Sequence, residues 1–331
     1  MTESSDRSVV IVGAGLSGLI AARELLATGR HVQVIDKGRG VGGRLATRRI
    51  GGAKLDHGAQ FFTVRGDNFQ SFIELAIESG VVATWCHGFD SDDGYPRYFC
   101  PEGMTALAKW LAEQVRMAGA AISLGERVAH IAVVDGGWQL RLDSGTDVRA
   151  DDLIVTTPVP QALELLSKGD VEVDSEHRAA LEAIEYKPTI AALVTLDAAP
   201  NIAPPGGVQQ TEDNIFTFIA DNQQKGISAE PAVTFHLNGS LSKARWDDDP
   251  ELVLADVLIE AAPWLGDTQV LEAQLKKWKY AGPLQPHPAR CVIAADSPGA
   301  LILAGDAFGG PKVEGAFNSG LAAARALLDR N

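Results

Sequence analysis

Three glycines and one acid carry the most specific chemistry in this 331-residue chain: Gly13, Gly15 and Gly18 stand in the run GAGLSG, and Asp36 follows them. The first glycine permits a tight turn, the second lets backbone approach a pyrophosphate, and the third lets a helix pack on a sheet. Asp36 lies about 20 residues on, where a carboxylate can hold a ribose hydroxyl. The flanks supply the context this pattern needs. Residues 9–12 are an apolar strand run, an apolar helical stretch closes at Gly29, and residues 31–35 form a second strand ending in Asp36. A βαβ unit with these glycines at its first turn presents helix amides and a positive dipole end to a phosphate, which points to a bound adenine dinucleotide.

Two further stretches add to this. The loop Lys37-Gly38-Arg39-Gly40-Val41-Gly42-Gly43-Arg44 is glycine-rich and basic. Its glycines allow a second approach to the pyrophosphate, with Arg44 as a charge-assisted clamp; a solvated surface loop is the plainer reading. Near the other end, a buried strand runs into Gly305-Asp306, and a loop then feeds a helix whose Phe317, Leu321, Ala324 and Leu328 share one face. The start of that helix, near Gly315 and Ala316, offers free amides to an anion. A nicotinamide dehydrogenase has no use for a second element of this kind.

These groups need elements to hold them. The length favours two domains, because single cores stop growing near about 250–300 residues. Residues 151–157 read as a strand that returns to the first sheet and stops at Pro158, so the domains interleave. The expected division is residues 1–78 with 100–165 and 289–331 as a dinucleotide-binding domain, and 79–99 with 166–288 as a substrate domain. Within these, residues 69–77 and a stretch after Pro101 read as helices, 81–98 as irregular, and 121–124, 127–134 and 138–142 as strands. Residues 190–196, 216–220 and 232–237 are strand candidates, 250–262 and 268–278 helix or strand-entry candidates. Trp110, Trp246 and Trp264 fit core positions better than cofactor walls.

The formal charge of −14 argues against nucleic acid and against anionic membrane surfaces as partners. Cys86, Cys100 and Cys291 show neither metal-ligand nor disulfide-framework spacing. Residues 1–8 are short and polar, and no run reaches the roughly 18 apolar residues of a membrane span. The expectation is a soluble cytoplasmic protein.

The chain resembles the flavin-dependent amine oxidase superfamily, and within it the renalase-like oxidases, essentially end to end. The superfamily signals are GAGLSG with Asp36, the GGR ending at Arg44, Thr156-Thr157-Pro158, Gly305-Asp306 and Glu314-Gly315-Ala316. Closer to the renalase-like group are Asp36-Lys37, the run LDHGAQFFT from Leu55 to Thr63, PEGM from Pro101, Trp278-Lys279-Tyr280 and KVEGAFNSG near the end. The resemblance implies an α/β fold in which a Rossmann-type FAD-binding domain of glutathione-reductase-like topology interleaves with a mixed α+β substrate domain.

It also implies roles. FAD would be held by Gly13, Ala14, Gly15, Ser17 and Gly18 at the pyrophosphate, by Asp36 and Lys37 near the ribose, and by Gly43 and Arg44 at the phosphates. Val128 would supply backbone contacts at the adenine, and Gln60 and Phe61 would lie beside the isoalloxazine ring. Gly305 and Asp306 would reach the ribityl chain, with Val313, Gly315, Ala316 and Ser319 at the pyrimidine end. His236, Gln60 and Trp278 match groups on the substrate side, although a satisfied core histidine is an equal reading of His236. Substrates implied by the resemblance are dihydronicotinamide isomers of NAD(P)H, with molecular oxygen as electron acceptor. Hydride removal from such a ring takes no proton, so the protein must position and desolvate rather than supply a strong base. Phe61 replaces a tyrosine common in relatives, and residues 238–246 depart from the pattern. No cysteine is placed for a covalent flavin link, so the FAD is expected to be noncovalent. Amine, carotenoid or porphyrinogen oxidation within the superfamily stays open, as does a dinucleotide-binding sensor without turnover.

Overall fold

Val9 to Val12 are apolar on both faces, and such a strand is stable only where both faces are covered. They form Ser8–Val12, inside a six-stranded sheet of order Val292–Ala295, Leu301–Leu303, Asp152–Val155, Ser8–Val12, His31–Asp36, Ala121–Leu124. This is a computed structural model, and it describes residues 7–173, 175–310 and 312–330; residues 1–6 of the polar leader and Pro311 lie outside that set. Ser8–Val12 runs parallel to both neighbours, pairing Val9 with Asp152 on one side and with Val32 on the other. The return of residues 152–155 to the first sheet is therefore real, and an α/β Rossmann-type fold with a parallel sheet results. Only Val292–Ala295 runs antiparallel, on the edge beside Leu301–Leu303.

The helix Leu16–Leu26 packs on this sheet and against the helix Lys312–Leu328. Gly320 makes that contact close, since a Cβ there would stand 2.3 Å from the Ser17 carbonyl oxygen. A separate three-stranded antiparallel sheet, Val128–Val134, Gly137–Leu142 and Asp147–Ala150, belongs to the same unit.

The chain divides into a first unit of residues 1–43, 108–185 and 283–331 and a second of residues 44–107 and 186–282. This differs from the expected division: residues 44–78 and 100–107 fold with the second unit, and 166–185 and 283–288 with the first. For residues 44–78 the cause is a hairpin, Thr47–Ile50 with Ala53–Asp56, that the sequence reading missed. Its Ile50, Ala53 and Leu55 are buried with Leu193 and Ala232 of the second unit, an apolar patch the hairpin could not otherwise cover.

The second unit is built on a five-stranded sheet of order Gly207–Gln209, Phe216–Asp221, Ala232–Leu237, Tyr186–Leu196, Val270–Pro283. The last of these is strand throughout, so residues 270–278 are strand rather than helix. Residues 81–98, expected to be irregular, contribute the paired strands Ala83–Cys86 and Arg97–Phe99. Period-2 alternation gives the five-stranded sheet two different faces. Val233, Phe235 and Leu237 join Ile190, Val194, Val253 and Val257 in a core against the helix Pro250–Leu265. That helix starts on Asp249, whose carboxylate accepts from Glu251 N, with Pro250 in its first turn. Ala232, Thr234 and His236 face the other way, toward the hairpin.

Candidate active site

In the first unit the fingerprint turn has little freedom. Gly13 has φ +115°, and a Cβ on it would lie 2.4 Å from Thr156 Oγ1; one on Gly18 would lie 2.0 Å from the Gly13 carbonyl oxygen. Both glycines are therefore explained by the chain itself. Gly15 is not: it has ordinary backbone angles, and a Cβ on it would meet nothing within 4 Å. Its missing side chain leaves open space at the helix start, which is what a phosphate approaching the amides requires. Ser17 Oγ and Thr157 Oγ1 are buried with no hydrogen-bond partner among the described residues. An open cradle with unpaired hydroxyls suits an adenine dinucleotide.

The glycine-rich loop lies on this turn as expected: Gly42 N donates to Ala14 O at 2.9 Å, and Gly43 lies against Gly15. Asp36 does more than await a ribose. Its two oxygens accept from Ala14 N and Gly38 N, each at 2.6 Å, pinning both loops while leaving lone pairs for a hydroxyl. Lys37, exposed, donates to the Gln161 side chain at 3.2 Å. Val128 is buried and pairs with Leu142.

At the other end of this unit, Gly305 follows the strand Leu301–Leu303, and its N–H donates to buried Ser319 Oγ at 2.8 Å. The helix begins at Lys312 rather than near Gly315, so the amides of its first turn belong to Lys312, Val313 and Glu314. Gly315 has a packing duty, because a Cβ there would lie 1.7 Å from Gly310 O. Val313 is buried, whereas Ala316 and Asp306 are half-buried.

In the second unit the structure brings together Gln60, His236 and Trp278, as the sequence reading grouped them, and adds partners that reading missed. Asp56 is fully buried at the centre. Its Oδ1 accepts from Met104 N at 2.8 Å and Thr47 Oγ1 at 2.5 Å, and its Oδ2 takes Lys225 Nζ at 2.7 Å. The Lys225 and Asp56 side chains have no exposure, and the ammonium also lies 5.1 Å from the Trp85 ring centroid. Asn222 and Thr234 complete the cluster: Thr234 Oγ1 donates to Asp56 O at 2.9 Å, and Asn222 Nδ2 donates to Thr234 Oγ1 at 3.1 Å. Lys225 sits in Gln223-Gln224-Lys225-Gly226, which reads as an ordinary exposed turn; no local pattern marks it.

This cluster sets the Gln60 amide. Lys225 Nζ can only donate and faces Gln60 Oε1 at 3.4 Å, while Gln60 Nε2 donates to Asp56 O at 2.7 Å. The Nε2 group therefore faces His236 Nε2, at a long 3.5 Å, and that contact is attractive only if the ring nitrogen accepts. Burial agrees, holding His236 down to about 4, with a hydrogen bond to the His57 backbone acting in the opposite direction. The imidazole is neutral at physiological pH.

Trp278 Nε1 donates to His57 O at 2.6 Å, and the two rings stack with centroids 5.3 Å apart. Burial, then the charge of Lys276, pulls His57 down to about 4 as well. Phe61 packs with Phe89 and Phe218 at centroid distances of 5.1 and 5.5 Å, and Trp85 extends this aromatic wall. Arg44, expected as a phosphate clamp, donates through one nitrogen to Tyr280 O at 3.0 Å. Cys100 is buried and pushed up to about 12 by burial, an inert thiol; Cys86 and Cys291 are also free. Among the described residues no cluster could hold a metal ion, and no helix is long and apolar enough to cross a membrane.

Comparison with known proteins bears on this arrangement. Residues 11–74 match the NAD(P)-binding Rossmann-like domain and residues 75–328 match the family described as Flavin containing amine oxidoreductase. A renalase from Mus musculus is 26% identical over 237 residues, 67% of this chain and 68% of that protein. Among solved structures, a putrescine oxidase variant superposes with a TM-score of 0.70 at 16% identity, covering 98% of this chain and 99% of its own. An oxidoreductase from Methanosarcina mazei does so with a TM-score of 0.67 at 14% identity, covering 95% and 99%. At those identities the structural likenesses speak for the fold.

Proposed function

The chain belongs to the flavin containing amine oxidoreductase family, and on that premise we propose that it is a renalase-type oxidase of dihydronicotinamide isomers of NAD(P)H, releasing NAD(P)+ and hydrogen peroxide. As a member it is an FAD-dependent oxidoreductase. Bound FAD supplies the electron acceptor for the substrate's hydride and the route to oxygen. The open cradle at Gly15 and the unpaired Ser17 hydroxyl suit the FAD pyrophosphate, held without a covalent link.

The observation that carries the reading is the neutral character of the ring set in the second unit. Removing a hydride from a dihydropyridine takes no proton, so a site for it needs shape, exclusion of water and fixed neutral donors. His236 and His57 are both uncharged at neutral pH, and Trp278 is fixed by its bond to His57 O. Gln60 presents one defined face because Lys225 and the Asp56 carbonyl fix its amide. The buried charge pair nearby, Lys225 with Asp56, is internally compensated. Renalase-like residues at 55–63, 236 and 278 support the same reading.

Anaerobic mixing of the FAD-loaded protein with 2- and 6-dihydro isomers of NADH tests it: stoichiometric flavin bleaching with release of NAD+ is expected. Bleaching by an amine, a carotenoid or a porphyrinogen, and by neither isomer, would move the protein to another branch of the family. No bleaching by any of them would favour a sensor.

A further inference from the structure

We infer that the second unit carries an anion subsite, formed by Arg48, Lys276 and His57, that takes the phosphate groups of the dinucleotide substrate. The inference rests on the proposed function only for the identity of that anion.

The placement follows from register. Arg48 pairs with Leu55 across the hairpin, and His57 N donates to Ala46 O in the next step of the same ladder. Arg48 and His57 are thus diagonal neighbours on one face, a spacing of about 7–8 Å. Trp278 stacks on His57. Lys276 lies two residues before Trp278 in the strand Val270–Pro283 and so projects to the same side of the sheet. Lys277, between them, goes to the opposite side and donates to Trp246 O. One arginine, one lysine and one imidazole therefore share a half-buried surface.

Among the described residues nothing balances them. Arg48 Nε and His57 Nδ1 are buried with no hydrogen-bond partner among the described residues, and neither Arg48 nor Lys276 has an ion-pair partner among them. The adjacent carboxylate, Asp56, is committed to Lys225, Thr47 and Met104. The crowding is unfavourable as it stands: burial and then the Arg48 charge hold the Lys276 ammonium below its ordinary range. In a chain with net charge −14, two cations placed together without an ion-pair partner among the described residues, one of them with a buried and unpaired Nε–H, have a clear use in gathering an anion. Their neighbours Trp278 and His57 belong to the ring set above, so a substrate with its dihydropyridine ring there would bring its phosphates within reach of the same surface.

Three readouts on FAD-loaded protein test this. Inorganic pyrophosphate, titrated by calorimetry, should bind at one site per chain, and Arg48→Gln or Lys276→Gln should each weaken it about tenfold, with Arg48→Lys intermediate. In anaerobic flavin bleaching, the same substitutions should raise half-saturation about tenfold for a dihydronicotinamide dinucleotide and leave the phosphate-free riboside unchanged. Without anion, Lys276→Gln should unfold at the wild-type temperature or above it, because it removes repulsion.

Loss of stability in the glutamine variants, or equal effects on dinucleotide and riboside, would overturn the subsite. Pyrophosphate binding that the variants weaken while dinucleotide half-saturation stays fixed would overturn its assignment to substrate. If no isomer bleaches the flavin, the proposed function fails, and the pyrophosphate titration still decides the subsite.

Discussion

The buried Lys225–Asp56 pair gives the sharpest test of how the second unit is held. Lys225→Met keeps the length of the side chain and removes the ammonium. Asp56 would then keep Met104 N and Thr47 Oγ1 on Oδ1, but its Oδ2 would have no cation in a site with no solvent exposure. Breaking one side of such a pair costs about 3–5 kcal/mol, a large part of the roughly 5–15 kcal/mol that holds a domain folded. At about 2 °C per kcal/mol for a chain of this size, the melting temperature should fall by about 6–10 °C.

Asp56→Asn presents an amide N–H to the Lys225 ammonium and should cost a similar amount. In the double variant Oδ1 keeps both donors and the amide nitrogen faces a neutral thioether, so the losses should not add. A coupling of at least about 2 kcal/mol is expected from urea unfolding of the four proteins. A second effect should accompany it. Without Lys225 the Gln60 amide loses the donor on Oε1 and is held only through its bond to the Asp56 carbonyl, and anaerobic flavin bleaching by a dihydronicotinamide isomer should slow in Lys225→Met even at saturating substrate. Additive losses in the cycle, or a single-variant cost under about 1 kcal/mol, would refute the argument that this pair is a charge-compensated core element.

Gly15→Leu separates fold from cofactor: a Cβ at that position meets nothing within 4 Å and starts the side chain into the open cradle, so the protein should fold normally by circular dichroism yet emerge without bound FAD, whereas Gly18→Ala should disturb folding itself. His57 and His236 fold with values near 4 against an ordinary 6.5, so unfolding takes up protons between those limits. The stability they contribute is complete above about pH 6.5 and is lost as the pH falls toward 4. His236→Asn should flatten that slope in urea unfolding, and an unchanged slope would contradict a buried neutral ring. Cys100 should resist iodoacetamide at pH 8 in the native protein and react once unfolded, as its pushed-up thiol requires.

By itself the sequence determined the first unit's nucleotide turn. Gly13, Gly15, Gly18 and Asp36 act through backbone geometry within a few dozen residues, and such local constraints are written in residue type and spacing. The return of residues 152–155 was legible too, because a short apolar run fits only a covered strand. Even here tertiary contact decided details. Asp36 turned out to hold Ala14 and Gly38, and the last helix starts at Lys312, ahead of Gly315.

The second unit was legible only in outline. His236, Gln60 and Trp278 were named from resemblance, but the groups that fix the Gln60 amide, Asp56 and Lys225, are 169 residues apart and meet in a buried pair no local pattern announces. A lysine between two polar residues and a glycine looks like a surface turn, and only burial makes it a core ion. The same holds for Arg48 and Lys276, whose nearness depends on the register of a hairpin and the side from which a strand presents alternate residues. Strand periodicity tells which residues share a face; what that face is laid against is settled by tertiary packing, which depends on contacts between segments far apart in the chain.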